Sequence, residues 1–310
     1  PNQAAVREAL QAAEYVVLQE AYGNTDTADF ADLLLPATAW GEKHGTVTNS
    51  ERCITRVTSA VEAPGEARHD WDIVVDFARR LGQKLDNPAA DKLFPYADAE
   101  AIFNEHRETT RGRDLDITGL SYALLGTAGP QQWPFPEGAS AGRVRLYEEG
   151  IFPTADGRAS FQPIEHQSTA DVISPEYPIS LLSGRMRDQW HGMSRTGTVP
   201  RLFNLEDEPL LAMHSCDMRH RGLEAGDLVS VTNARGVATV RISAGEGLKK
   251  GQAWMPMHWG SQFMNSPGAN ALACDAIDPH SKQPELKHAA VQIEKLDLPY
   301  PLRSEEHTSE

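Results

Sequence analysis

The stretch LVSVTNARGVATVRIS, residues 228–243, alternates apolar and polar residues on either side of a short turn, Asn233–Gly236. Successive side chains of a strand point to opposite faces, so this alternation gives two strands one apolar face each and folds them into a hairpin. Working outward, YPISLLSG (177–184), GQAWMPMHW (251–259) and AAVQIEKL (289–296) read as further strands with little helix between them. Several short strands separated by turn residues describe a small barrel. FQPIEHQSTADVISPEY (161–177) reads as a domain linker, and upstream of it the pattern changes. YVVLQE (15–20) is a short apolar strand. AYGNTDT is a loop ending in Thr27, a cap for the short helix ADFAD, and LLLPATAW (33–40) is a second, buried strand. Strand, loop, short helix and strand at this spacing make a compact piece of parallel α/β sheet.

The rest of this first part supplies helices and loops. REALQAAE (7–14) has a helical pattern. Asp70 caps DWDIVVDFARRLG, which places Trp71, Val74, Val75, Ala78 and Leu81 on one face and stops at Gly82. AIFNEHRETTRG (101–112) and DITGLSYALLG (116–126) are two more helices, GEKHGTVTNSERCITRV (41–57) is a polar loop followed by a strand, and QQWPFPEGASAGRVRLY (131–147) is irregular.

Length and composition bound the possibilities. A chain of 310 residues is long enough for two domains with sizeable cores. With 44 acidic against 29 basic residues and a formal net charge of −15, it offers no general basic surface for nucleic acid, so any anion site has to be built locally. No apolar run approaches the roughly 18 residues of a membrane span. Cys53, Cys216 and Cys274 lie far apart and no C-x-x-C occurs, which leaves neither a zinc ribbon nor an iron–sulfur site and suits a reducing compartment. The chain starts at Pro1, so the lack of a signal peptide carries no information. The last eight residues, RSEEHTSE (303–310), are what a sequencing adapter encodes when translated; they are set apart as an artefact and expected to pack on nothing.

Three polar stretches carry the chemistry. SGRMRDQWHG (183–192) follows a strand directly, where ligand loops usually sit. Ser183, Gly184 and Gly192 permit close backbone approach, Arg185 and Arg187 can fork onto phosphate, Asp188 can accept the paired N–H donors of a guanine edge, and Trp190 and His191 can stack or donate. GANALACDAIDPHSKQPELK (268–287) is too long for a hairpin loop, and Asn270 and Lys287 are its candidate contacts. In EKHGTVTNSER (42–52), Gly45 and Asn49 allow tight backbone while Lys43 and Arg52 supply cations. Each stretch taken alone also reads as a solvated surface loop. His214, His220 and Met218 read as structural or solvated.

Together the stretches resemble one family. ADLLLPATAWGEKHGTVTNSER (31–52) is similar to the signature of the molybdopterin oxidoreductases related to dimethyl sulfoxide reductase, and SGRMRDQWHGMSRTG (183–197) and ANALACDAIDPHSKQPELKHAAVQIE (269–294) resemble its C-terminal pterin-binding domain. GRDLDITGLSYALLGTAGPQQWPFPEG (112–138) and GRVRLYEEGIFPTADGRASF (142–161) narrow the resemblance to the catalytic subunits of bacterial assimilatory nitrate reductases.

The resemblance implies a fold: residues 1–165 as an incomplete α/β, dinucleotide-binding-like domain, then a six-stranded double-psi barrel over about 176–300. It also implies a cofactor, Mo-bis(molybdopterin guanine dinucleotide), and a reaction, nitrate to nitrite by oxygen-atom transfer. In such enzymes the equivalent of 183–192 contacts the cofactor throughout. By the same carry-over Gln19 and Glu20 sit at a strand end where ligands bind such sheets, Lys43 meets a cofactor anion, and Asp70 follows at the family's spacing. Asn270 and Lys287 close the other side, and Met257 or His258 lines the cofactor. Lys43 and Asp70 are expected to face the same cleft as the barrel loops.

The family's cysteines for a [4Fe–4S] cluster and its molybdenum ligand do not occur here. The chain is therefore expected to be a C-terminal portion, inactive alone, with no catalytic or metal-ligating residue of its own. The resemblance further implies a cytoplasmic enzyme without a membrane span or nucleic-acid partner, taking electrons from ferredoxin, flavodoxin or an NADH-linked reductase subunit. Two other readings stay open: a fragment of a formate dehydrogenase alpha subunit, and a double-psi barrel acting as a binding module without redox activity.

Overall fold

The computed structural model describes residues 1–203 and 206–297, so the tail 303–310 lies outside the described residues. Two compact units form: one from residues 17–23 and 32–165, the other from residues 1–16, 24–31 and 166 onward.

In the first unit, β1 (Val17–Glu20) pairs in parallel with β2 (Leu33–Pro36), Val17 opposite Leu33 and Glu20 opposite Pro36. Among the described residues this sheet is two strands wide. That corrects the expectation of a buried second strand: Leu33 and Leu34, which point to opposite faces of the two-stranded sheet, stay 41% and 40% exposed. The polar stretch after it holds more order than its composition suggests. β3 (Gly45–Thr48) and β4 (Cys53–Val57) form an antiparallel hairpin, and β4 also pairs with β5 (Gln131–Gln132). Asn49 makes the hairpin turn, its Oδ1 accepting from the Glu51 and Cys53 amides at 2.9 Å each.

The helix Asp70–Lys84 begins one residue earlier than a capping Asp70 would allow. His69 is the N-cap, and Asp70 and Asp72 lie in the first turn, where carboxylates favour the helix dipole. Gly82 does not stop the helix. It is buried inside the last turn together with Ile73 and Val75 further up, while Val74 and Leu81 of the expected apolar face are 54% and 44% exposed.

DITGLSYALLG forms a helix only over Tyr122–Thr127, capped by Ser121. Its first part is diverted by Asp116, which is 9% exposed. Asp116 Oδ1 accepts from the Thr118 amide (2.8 Å) and hydroxyl (2.6 Å), and Oδ2 from the Gly112 amide (2.8 Å), so the side chain satisfies backbone donors that a helix would need. At Gly119 an added Cβ would lie 2.4 Å from the Pro136 carbonyl, so only glycine lets this turn approach Pro136. The turn seats Ile117 and Leu120 in a core with Ile54, Phe103, Tyr122, Leu125 and Phe135.

Burial works against the Asp116 carboxylate, but the Thr118 and Gly112 donors outweigh it and hold its pKa below the ordinary value. A depressed folded pKa contributes stability above the unfolded pKa of about 4 and loses it as pH falls through the folded value. Asp116→Asn is therefore expected to cost roughly 1–3 kcal/mol at neutral pH. The cost should shrink on acidification below about pH 4. Urea denaturation at pH 7 and pH 3 checks this; a cost independent of pH would contradict it.

The second unit is built on a closed barrel in the order β10–β6–β11–β8–β9–β7, with β6 Ile179–Gly184, β7 Leu210–Met213, β8 Leu228–Asn233, β9 Gly236–Ala244, β10 Gln252–Pro256 and β11 Ala289–Lys295. This is the expected six-stranded barrel, with β7 as the strand the hydropathy pattern did not single out. β6 pairs in parallel with β10, and β7 with β9; the other four pairings are antiparallel. Alternation delivers the core: Val229, Val231, Ala238, Val240 and Ile242 point inward and meet Ile179, Leu181, Leu211, Met213, Val291 and Ile293. Closure leaves no unpaired edge. No helix among the described residues is long and apolar enough to cross a membrane.

Candidate functional site

Strand directions decide which loops meet. β6 and β10 run parallel, so Gly184 and Pro256 end side by side. β11 runs against β6, so its first residue, Ala289, lies at that same end, as do Asn233 and Gly236, the turn between β8 and β9. The two long connections, 185–209 and 257–288, thus both spring from one end of the barrel. Contacts hold the second of them to the strand ends: the Ser183 hydroxyl donates to the Leu286 carbonyl, and the Ala269–Ala271 turn sits against Gly236, where a Cβ would lie 2.9 Å from the Ala271 carbonyl. Asn270 and Lys287 are exposed at this end.

On the 183–192 stretch, Arg185 lies over the Trp190 ring (5.9 Å to its centroid), and Trp190, 54% exposed, meets His191 edge-on at 4.6 Å. Arg187 pairs with Asp188 at 3.3 Å, but its side chain is 80% exposed, so the pair contributes little. Both guanidinium groups therefore keep donors for an anion. Gly192 is exposed beyond them. Gly184 passes so close to Trp254 that a Cβ would lie 2.5 Å from the indole Nε1. A pocket of about 310 Å³ opens between Trp254 and the loop, lined by Arg185, Arg187, Asp188 and Gln189 among others. Gln189 is 6% exposed; its Nε2 donates to the Leu202 carbonyl (3.3 Å), and its Oε1 is buried without a hydrogen-bond partner. A buried acceptor left unpaired is costly, so it marks a place where a donor is missing.

His258 differs from the expectation that it lines a ligand. It is 1% exposed, and both ring nitrogens are committed to the loop: Nε2 accepts from the Met186 amide (2.8 Å) and Nδ1 faces the His191 carbonyl (2.7 Å). No ring nitrogen remains for a ligand.

In the α/β unit, Gln19, Lys43 and Asp70 come together although 51 residues separate the outer two. Gln19 Nε2 donates to Asp70 Oδ1 at 2.8 Å, and Lys43 Nζ pairs with Asp70 Oδ2. Burial raises the Asp70 pKa, yet the Lys43 and Gln19 donors bring the net value below the ordinary one. Lys43 thus has a carboxylate partner within the chain. Glu20 does not join this group; its carboxylate accepts from the Ala21 and Tyr22 amides at 2.8 and 3.3 Å. His69, beside Asp70, bonds Thr38 Oγ1 through Nδ1 at 3.1 Å, stacks on Trp71 at 6.4 Å and meets His44 edge-on at 6.0 Å. His44 and His69 were legible as titratable neighbours of Lys43 and Asp70 and were not singled out. A hollow of about 700 Å³ beside Cys53 in the same unit has its cation, Arg52, committed to the carbonyls of Trp133, Arg143 and Val144.

Two family models match the chain: "Molydopterin dinucleotide binding domain" over residues 179–290 and "Molybdopterin oxidoreductase" over residues 1–80. The chain belongs to the molybdopterin oxidoreductases, and the end of the barrel described above lies in its dinucleotide-binding domain. Its similarity narrows further: it is 38% identical over 301 residues to the nitrate reductase of Klebsiella oxytoca (94% of this chain, 33% of that protein). It is 34% identical over 296 residues to the F420-dependent formate dehydrogenase subunit alpha of Methanocaldococcus jannaschii (96% and 41%). The chain spans about a third to two-fifths of the length of these relatives. The fold is also that of acetylene hydratase from Pelobacter acetylenicus, with a TM-score of 0.62 at 17% identity over 95% of this chain and 42% of that one.

Proposed function

We propose that this chain is the cofactor-gripping portion of a molybdenum-dependent nitrate reductase of the assimilatory type, which holds Mo-bis(molybdopterin guanine dinucleotide). The observation that carries the reading is the donor set of residues 183–192. In a chain of net charge −15, Arg185, Arg187 and Asp188 line one pocket with Gln189, whose side-chain oxygen is buried without a hydrogen-bond partner. A guanine dinucleotide requires that combination: cations for its pyrophosphate, and a carboxylate and a carbonyl for the N–H donors of its base.

Arg185 and Arg187 hold phosphate oxygens, Asp188 accepts from the guanine edge, and Gln189 Oε1 receives a further donor. Trp190 and His191 would cover the ligand, and Asn270 and Lys287 would meet it from the second loop, which springs from the same end of the barrel. Gln19, Lys43 and Asp70 are the polar contacts that the α/β unit would offer the cofactor, while the barrel unit carries the dinucleotide grip. The bound molybdenum–pterin supplies the redox chemistry, and these residues bind and orient it. The complete enzyme reduces nitrate to nitrite and water with two electrons and two protons. The enzyme would be cytoplasmic, its electron donor ferredoxin, flavodoxin or an NADH-linked subunit, and a [4Fe–4S] cluster would be held by residues outside this chain.

The stretches GRDLDITGLSYALLG and QQWPFPEG favour nitrate, while the archaeal relative keeps formate oxidation as the second reading. A barrel without redox activity is disfavoured by the oxidoreductase match over residues 1–80. The reading frame that carries this chain should be expressed whole and assayed for molybdenum, guanine and nitrate-dependent oxidation of reduced viologen. About two guanines per molybdenum, with nitrite formed, is the expected result. Formate oxidation without nitrite, or a protein lacking molybdenum, would overturn it.

A further inference from the structure

His191 and Met193 have φ of +46° and +65°, a left-handed backbone that residues other than glycine seldom adopt. Such strain persists only where the surroundings over-determine it. Here the Met193 side chain is fully buried, its amide donates to the Trp190 carbonyl (2.9 Å), and the Trp190 amide donates to Thr196 Oγ1 (3.2 Å). A further tie is His258, which reaches the loop from just beyond β10 and grips it at two points five residues apart. Because the Met186 N–H points at Nε2, that nitrogen carries a lone pair. The single proton of a neutral imidazole then sits on Nδ1, where the His191 carbonyl accepts it.

We propose that His258 is a positioning residue: as the neutral Nδ1–H imidazole it bolts Met186 and His191 to the end of β10, and so sets the aim of Arg187 and Asp188 between those two points and of Arg185 next to the first. A protonated ring would turn an N–H toward the Met186 N–H and release that end of the loop. The charged and titratable groups bearing on the ring are Arg185 and His191 from the loop it grips and Lys287 from its own connection. Burial first, and the charges of these groups with it, disfavour the protonated form and outweigh the His191 carbonyl, which favours it. The inference rests on reading this loop as the dinucleotide grip.

The test uses the full 310-residue chain. Long-range proton–nitrogen NMR should show the His258 ring as the Nδ1–H tautomer, still neutral below the pH at which an exposed histidine protonates. Amide exchange of peptides covering 186–193 should speed up by about tenfold or more in His258→Leu, which fills the space and makes neither bond. His258→Asn keeps a donor near the Nδ1 position and should restore slow exchange around His191. His258→Gln keeps an acceptor near Nε2 and should restore it at Met186. An Nε2–H tautomer, ordinary titration, or unchanged exchange in His258→Leu would overturn the proposal. Failure of the underlying reading looks different: these results would stand while Arg185→Ala, which leaves His258 untouched, did not alter cofactor content.

Discussion

Asp171→Ala is expected to destabilise the barrel unit by about 3 kcal/mol, toward the lower end for breaking a buried ion pair. The carboxylate receives both terminal nitrogens of Arg235 and, at 2.8 Å, the Ala290 amide. The side chains of Asp171 and Arg235 are only 15% and 20% exposed. Arg235 in turn donates through Nε (3.0 Å) and Nη2 (2.8 Å) to the Leu272 carbonyl, which also receives Asn233 Nδ2 at 2.9 Å. One carboxylate thus ties the segment before β6 to the β8–β9 turn, the start of β11 and the Asn270 turn.

Removing it strands a guanidinium and a buried amide together. Replacing both partners, as in Asp171→Ala with Arg235→Met, should recover much of the loss, because the uncompensated charge disappears with it. Chemical denaturation followed by hydrogen exchange in β8, β9 and β11 measures both variants. A loss below about 1 kcal/mol in Asp171→Ala would show the pair to be screened like a surface bridge.

Nothing in the sequence pointed to Asp171. It sits in STADVIS, a polar run that reads as linker, and its partners are 64 and 119 residues away. The barrel was legible because its strands are local: period-two alternation in 228–243 states which residues face inward without reference to any partner. β7, four residues of uniform apolar character, carries no such period, and only its neighbours β9 and β10 make it a strand. DITGLSYALLG misled for a related reason. Its apolar spacing suits a helix, but a single carboxylate, Asp116, captures the first amides for a turn.

The candidate site divides in the same way. Arg185, Arg187, Asp188, Trp190 and His191 were legible because they are crowded into one loop after a strand. Asn270 and Lys287 were legible because their loop is too long to be a plain connection. The job of His258 was not, since a buried histidine satisfied by two backbone groups 67 and 72 residues away leaves no mark in composition or spacing. Gln189 was overlooked for the opposite reason: within so polar a stretch one glutamine is unremarked until its oxygen is found buried and unpaired.

Arg185→Ala and Asp188→Ala, each made in the complete reading frame, test the central claim that residues 183–192 grip a guanine dinucleotide. Each removes a charge-assisted hydrogen bond to a ligand group that stays behind, roughly 1.5–3 kcal/mol, or about ten- to a hundredfold in affinity. Neither should unfold the chain, because Arg185 is exposed and touches the face of Trp190, and the Arg187–Asp188 pair is exposed on the arginine side. The measurement is molybdenum and guanine per polypeptide in the purified proteins, with the [4Fe–4S] absorption as an internal control. The account predicts a large loss of both molybdenum and guanine in each variant with the iron–sulfur signal intact. Full molybdenum and guanine content in both variants would contradict it.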